Sequence, residues 1–253
     1  MGPMRRAHRT GLPAHWRKVL AGGSGQWGLL DDGERERLGE IAERLLVHKR
    51  WEAARGFELT DERRVLIAGH GALLALGLDG DPFTEVGTIV VRAGAMRRRA
   101  PIPNWGRVEG LVDGSPAPVD GQAHHRDGPL MISWSAFRRE AANVRLGRDV
   151  VLHELAHKLD MLDGIVDGTP PTDDRQRDRW IEVCTAEYEL IKAGEAGRLL
   201  RPYAGTNPGE FFAVATETFF TRPVRLRDEK PELYGVLAAY FGQDPAARVE
   251  RAA

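Results

Sequence analysis

The spacing of apolar residues along the chain predicts a mostly helical protein. Between Asp31 and Trp51, apolar residues recur every three or four positions with Glu and Arg between them, which is the pattern of an amphipathic helix. The residues that carry this pattern are Leu38, Ile41, Leu45 and Leu46.

Further helices are predicted where apolar runs begin at a capping residue or a proline. Thr60 can cap a helix that continues through an apolar run to Leu78, because its hydroxyl accepts hydrogen bonds from the first turn. The other predicted helices cover residues 149–162, 177–192, 206–220 and 231–241.

Two short strands interrupt the helices. Thr88–Arg92 is rich in β-branched residues, and Pro129–Phe137 alternates between two faces. Pro101–Gly128 is rich in Pro, Gly and Asp, so we expect a long surface loop with room for a hairpin. This element order predicts an α+β fold. We expect one domain over residues 15–245, with a flexible tail at 1–14 and a second tail at 246–253.

Composition and charge exclude several classes of protein. The chain has 253 residues, with 36 Lys+Arg against 37 Asp+Glu, so there is no basic excess to attract nucleic acid or an anionic membrane. One cysteine, Cys184, rules out an internal disulfide. No export signal is visible at the N-terminus. We therefore expect a cytoplasmic protein with no direct nucleic-acid or membrane partner.

The segment His153-Glu154-Leu155-Ala156-His157 has the spacing of a metal site. Residues four apart share one face of a helix, so both imidazoles can reach one ion, and Glu154 can touch a water that the ion holds. Zinc suits imidazole and lowers the pKa of bound water to about 7, which would make Glu154 a general base. The alternative interpretation is that both histidines lie on the protein surface and bind no metal. This helix is otherwise apolar, however, so its polar side chains need partners.

A catalytic zinc also needs a third protein ligand, and three candidates compete. Asp163 follows the motif beyond a turn, while Asp160 faces the same way as the histidines and is expected to hold an imidazole from behind. Glu210 and Glu217 share one stripe of a strongly apolar helix, where carboxylates need a cation or hydrogen-bond donors. Spacing does not decide which of them binds metal, or whether both glutamates are solvated.

The chain resembles the Mlc titration factor A family of bacterial zinc metallopeptidases, which is distantly similar to the catalytic domain of anthrax lethal factor. The resemblance rests on His153–Met161 (HELAHKLDM), on Tyr203, and on Glu210-Phe211-Phe212-Ala213 downstream. Leu130–Trp134, before the metal helix, is a further matching stretch. Weaker matches run through Trp16, Leu45–Lys49, Leu59–Glu62 and Ala72–Leu76, and the whole resemblance extends over residues 15–245.

The resemblance implies a zincin-like metallopeptidase fold with a small mixed sheet and an active-site helix that carries the HExxH motif. It implies one zinc ion per chain, held by His153, His157 and Glu210. It also implies that Glu154 is the catalytic base and that the Tyr203 hydroxyl stabilises an oxyanion. Glu217 matches a second acidic position, which we interpret as a support behind the metal ligands.

Asp149 and a pair of loop histidines attract attention for other reasons. Asp149 stands where the family pattern leads us to expect Asn before the metal helix. His124 and His125 lie in the long loop, either as a solvated pair or as contacts for a second metal or for substrate.

Two functions follow from this resemblance. The first is a zinc-dependent peptidase, of aminopeptidase type on short peptides, in which the strand at 129–134 presents an edge to the substrate backbone. The second is a regulatory protein that sequesters a transcriptional repressor of sugar-uptake genes, with catalysis minor or regulated. The intact Glu154 favours catalysis, because a purely structural zinc site has no need of it.

Overall fold

The computed structural model describes residues 12–54, 56–94, 121–123, 128–143 and 146–252, and most of these residues lie in helices. None of the helices in these ranges combines the length and the apolar character that crossing a membrane requires. The helices are α1 Ala14–Gly23, α2 Asp32–His48, α3 Asp61–Leu74, α4 Trp134–Ala141, α5 Val150–Asp160, α6 Asp174–Ala193, α7 Pro208–Thr221, α8 Pro223–Glu229, α9 Pro231–Phe241 and α10 Pro245–Ala252. Short 3₁₀ turns cover Gly25–Leu29 and Pro202–Gly205. The mostly helical α+β prediction is confirmed.

A four-stranded sheet lies beside the helices. Its strands are β1 Arg50–Ala53, β2 Thr88–Arg92, β3 Gly121–Ala123 and β4 Leu130–Ser133, in the spatial order β1-β2-β4-β3. The pairs β1–β2 and β2–β4 are parallel, whereas β3 runs antiparallel to β4. The sheet is therefore small and mixed, as the family resemblance implies.

The predicted strand at Pro129–Phe137 is wrong in its second half. The strand ends at Ser133, whose hydroxyl accepts a hydrogen bond from the N–H of Ala136 at 3.3 Å and caps α4. The expected open edge is also wrong, because β4 pairs with β2 on one side and with β3 on the other. Among the described strands, β3 stands at that end of the sheet.

Other predicted boundaries shift because tertiary contacts override local pattern. The first amphipathic helix ends at His48, since Trp51 belongs to β1 and pairs with β2. Helix α3 ends at Leu74 rather than Leu78. The chain then turns at Gly77, where a Cβ would lie 2.2 Å from the backbone oxygen of Phe241, so only glycine fits there.

Residues at both ends of the chain, where we expected tails, belong to the folded part of the protein. Residues 1–11 lie outside the described residues, but Leu12 is buried and α1 already begins at Ala14. The expected tail at 246–253 lies in α10 as far as Ala252. Arg248 is buried in this helix, and its Nε donates to Glu34 Oε1 at 2.7 Å, which ties the helix to α2. The loop at 101–120, with His124 and His125, lies outside the described residues.

Helix α5 is the centre of the fold, because it contacts α3, α4, α7 and the strands β3 and β4. Its apolar side chains are almost completely buried, and they include Val151, Leu155, Ala156 and Leu159. A Cβ on Gly71 would lie 2.7 Å from Leu155 Cδ1, so the glycine lets α3 approach closely. This packing fixes the direction in which α5 presents its polar face.

Buried acidic side chains hold the start of α5. Asp149 Oδ1 accepts hydrogen bonds from two N–H groups of the first turn at 2.9 and 3.2 Å, and Glu140 Oε2 accepts from the N–H of Val150 at 2.9 Å. The other oxygen of Asp149 lies 2.5 Å from His70 Nδ1. Burial opposes ionisation of Asp149, but His70 and the N–H donors hold its pKa below the usual value. The helix that carries the HExxH motif is therefore capped from inside the core.

Asp149→Ala should lower the free energy of unfolding by about 3 kcal/mol, because it removes a helix cap and leaves buried His70 without its carboxylate partner. Asp149→Asn should cost less than about 1 kcal/mol, since an amide oxygen still caps the first turn and the imidazole can change tautomer. Urea unfolding, followed by circular dichroism with a chelator present, measures both. Equal losses in the two variants would contradict the capping account.

Candidate metal centre

Two helices bring the predicted metal ligands together. His153 and His157 project from α5, and Glu210 lies in the first turn of α7. The start of α7 is fixed locally, because Pro208 occupies a first-turn position and Asn207 accepts a hydrogen bond from the N–H of Glu210 at 2.9 Å. Helices α5 and α7 pack directly on each other, so the three side chains face one point.

The spacing of the ligand atoms matches a zinc site. The two Nε2 atoms of His153 and His157 lie 3.2 Å apart, and Glu210 Oε2 lies 3.1 Å from the first and 3.5 Å from the second. A tetrahedral zinc with bonds of about 2.1 Å places its ligand atoms about 3.4 Å apart. The buried Oε2 of Glu210 has no hydrogen-bond partner among the described residues, so it is available to a cation. The side chains present therefore fit zinc.

Charge at the cluster also favours a cation. Burial opposes protonation of His153, but the carboxylates of Glu217 and Glu210 outweigh it and raise the pKa of His153 to about 10. Burial opposes ionisation of Glu210 too, yet the neighbouring imidazoles of His153 and His157 lower the pKa of Glu210. Burial lowers the pKa of His157 and raises the pKa of Glu154 to about 8. A divalent cation would supply the positive charge that these carboxylates draw to His153.

Glu217 contacts the far side of the His153 ring. It is buried, and its Oε1 lies 2.5 Å from His153 Nδ1. A carboxylate at Nδ1 fixes the imidazole tautomer and directs the free Nε2 toward a metal. Glu217 and Glu210 thus lie at opposite nitrogens of the His153 ring.

Arg201 completes this support and was missed by the sequence analysis. Its Nη2 donates to Glu217 Oε1 at 2.6 Å, so one carboxylate oxygen serves both the arginine and His153. A buried carboxylate needs a compensating charge, so an acidic residue on an apolar helix predicts a basic partner somewhere in the sequence. The sequence contains too many arginines for that signal to identify Arg201.

Tyr203 lies at the border between the cluster and solvent. It belongs to the 3₁₀ turn Pro202–Gly205, its hydroxyl donates to Glu210 Oε1 at 2.9 Å, and 49% of the residue is exposed. Burial of the hydroxyl and the neighbouring Glu210 charge raise the pKa of Tyr203, so it remains a protonated donor. The structure thus places Tyr203 beside the predicted metal ligands.

The other two candidate ligands lie elsewhere. Asp163 is exposed, and its Oδ1 accepts a hydrogen bond from the N–H of Ile165 at 2.9 Å in the loop after α5. The group of potential ligands found in the described part of the chain contains Glu210 and not Asp163. Of the three acidic candidates, geometry therefore favours Glu210.

Asp160 does not make the expected contact with an imidazole. It is completely buried, and neither carboxylate oxygen has a hydrogen-bond partner among the described residues. Its Oδ2 instead faces Gly209, where a Cβ would lie 3.2 Å away. Burial raises the pKa of Asp160 to about 7.

Comparison with known proteins defines the class. Residues 3–242 match the family model described as glucose-regulated metallo-peptidase M90. The chain therefore belongs to this family of metallopeptidases.

Particular relatives agree with this assignment. A Synechocystis protein, described as uncharacterized protein slr2042, is 32% identical over 238 residues, which cover 92% of this chain and 86% of the relative. Mlc titration factor A of Serratia proteamaculans is 30% identical over 233 residues, with coverages of 88% and 85%. The protein of the same name from Edwardsiella ictaluri is 30% identical over 229 residues, with coverages of 87% and 84%. The resemblance to the Mlc titration factor A family is confirmed.

Glu210→Gln should raise the dissociation constant for zinc by more than about 100-fold, because it removes a charged ligand from a site of three. The matched control is Asp163→Asn, which should stay within about threefold of the wild type because Asp163 lies outside the cluster. Competition with a fluorescent chelator measures both constants. A large loss of affinity in Asp163→Asn would show that the third ligand has been assigned to the wrong residue.

Proposed function

We propose that this chain is a zinc-dependent peptidase with a zincin-like domain over residues 15–245. Zinc is held, one ion per chain, by His153, His157 and Glu210. The observation that carries the proposal is that the two Nε2 atoms of α5 and one carboxylate oxygen of α7 meet at zinc-like separations, 3.1 to 3.5 Å, and that α5 also bears Glu154. Membership of a metallopeptidase family supports it.

Glu154 acts as the general base. When bound, zinc polarises a carbonyl oxygen and lowers the pKa of water to about 7. Glu154 is buried, and its Oε2 has no hydrogen-bond partner among the described residues, so it is free to accept a proton. It takes the proton of the attacking water and returns it to the leaving amine. Burial raises the pKa of Glu154 to about 8 when no cation is bound, and the charge of a bound cation would lower this pKa and favour the carboxylate form that a base needs.

Tyr203 stabilises negative charge on the substrate oxygen. Its hydroxyl is directed at Glu210 Oε1, on the side of the ligand that faces solvent. As the carbonyl oxygen gains charge, the hydroxyl turns from Glu210 to that oxygen and donates to it. Hydrogen bonds that strengthen only in the transition state raise kcat more than they change KM.

The substrate is a short peptide, and the expected action is of aminopeptidase type, an assignment that rests on the family resemblance. Strand β4 has no open edge, so it does not pair with the substrate backbone. The substrate backbone instead pairs with the outer edge of β3, because β3 also packs on α5.

Glu154→Gln should keep zinc affinity within about threefold and lower kcat by about 1,000-fold, because the amide cannot accept the proton. A panel of fluorogenic aminoacyl and short-peptide substrates, hydrolysed by zinc-loaded protein, measures the loss. Equal activity in the wild type and in Glu154→Gln would contradict the peptidase mechanism, as would no hydrolysis by a wild type with one zinc bound.

Tyr203→Phe should lower kcat by about 100-fold and leave KM within about threefold, because it removes only the transition-state donor. Tyr188→Phe is the control, since Tyr188 lies on α6 and contacts Phe211 and Lys192 rather than the cluster. Steady-state kinetics on the best substrate of the panel measure both variants. A rise in KM with unchanged kcat would mean that the hydroxyl binds substrate instead.

Binding of a transcriptional repressor is the second candidate function. The name of the Serratia and Edwardsiella relatives, Mlc titration factor A, favours it. In this function the chain sequesters a repressor of sugar-uptake genes through its surface, and catalysis is minor or regulated. Repressor binding that persists in Glu154→Gln would show that sequestration does not need hydrolysis, whereas no binding by either form would exclude it.

A further inference from the structure

Arg201 touches two separate parts of the candidate site. Its Nη2 donates to Glu217 Oε1 at 2.6 Å, and its guanidinium carbon lies 5.6 Å from the centre of the Tyr203 ring. We propose that Arg201 is a positioning residue that holds the support of His153 and the ring of Tyr203 in one arrangement. The Tyr203 part rests on the proposed function, whereas the His153 part concerns metal binding alone.

The first contact orients a metal ligand. Glu217 is buried, with Oε1 between Arg201 Nη2 at 2.6 Å and His153 Nδ1 at 2.5 Å. The arginine compensates the buried carboxylate and stops it from rotating away from the imidazole. With Nδ1 held in this way, His153 keeps its Nε2 at 3.2 Å from that of His157.

The second contact places the tyrosine. Tyr203 is half exposed and lies on a short 3₁₀ turn, so the core alone does not fix its ring. The guanidinium lies on one side of the ring, and the His153 ring lies 6.2 Å away, centre to centre. Pro202, between the two residues, limits the backbone that joins them. The Tyr203 hydroxyl is thereby kept at Glu210, beside the reacting atoms.

Both contacts use the shape of arginine as well as its charge. The planar guanidinium donates one N–H group to Glu217, and its central carbon lies over the Tyr203 ring. A lysine ammonium can reach the carboxylate but has no flat face for the ring. Arg201→Lys therefore weakens the Tyr203 contact selectively, whereas Arg201→Met removes both contacts.

Zinc affinity tests the first contact without any substrate. In chelator competition, Arg201→Met should raise the zinc dissociation constant about 10- to 100-fold, and Arg201→Lys less than about threefold. Arg198→Met is the control, because Arg198 is an exposed arginine three residues earlier in the chain and should match the wild type. An unchanged zinc constant in correctly folded Arg201→Met would overturn this part.

Kinetic coupling tests the second contact at saturating zinc. Arg201→Lys should lower kcat about 10-fold when Tyr203 is present and less than about twofold in Tyr203→Phe, with KM within about threefold throughout. Equal losses in the two backgrounds would show that Arg201 does not act through Tyr203. A rise in KM alone would show that the guanidinium contacts substrate.

Failure of the proposed function gives a different result. In that case no variant, including the wild type, hydrolyses the peptides, while the zinc constants still decide whether Arg201 positions His153. The double variant Arg201→Met with Glu217→Gln distinguishes two roles of Arg201, the positioning of the residue at 217 and the compensation of its charge. Positioning predicts that zinc affinity stays low in the double variant, and full recovery would overturn it.

Discussion

The packing of α5 on α7 determines where the polar side chains of the candidate site meet. Helix α5 is buried among α3, α7 and the sheet, so its direction is fixed by apolar contacts on several sides. Helix α7 is equally apolar, and its buried face carries Glu217 while its first turn carries Glu210. The two helices thereby bring imidazoles and carboxylates, far apart in the chain, to within hydrogen-bond distance of one another.

Placing these charges inside an apolar interface has consequences for stability and for chemistry. An unpaired carboxylate in an apolar interior destabilises the fold. The buried carboxylates of this protein are stabilised by histidine, arginine and helix N–H groups. The arrangement also draws positive charge to the His153 imidazole, as its raised pKa indicates. A site of this kind gains stability when a divalent cation binds, because the cation satisfies groups that the fold has already gathered.

Local pattern predicts some parts of this molecule and not others. The spacing of His153 and His157 predicts their shared face, because four residues make about one helical turn. Glu210 could be separated from Asp163 only by resemblance, since its position depends on how α7 packs on α5. Arg201 and the turn of Asp160 toward α7 depend on the same packing. For a similar reason Trp51 lies in β1, where pairing with β2 overrides its helical pattern.

The chemistry proposed for this site requires one zinc ion that His153, His157 and Glu210 surround next to Glu154. The most direct measurement is a crystal structure of the zinc-loaded protein, with data collected at the zinc absorption edge. We expect one anomalous peak, about 2.0 to 2.2 Å from the two Nε2 atoms and from Glu210 Oε2. No peak at that point, or a peak at Asp163 or at His124 and His125 instead, would contradict it.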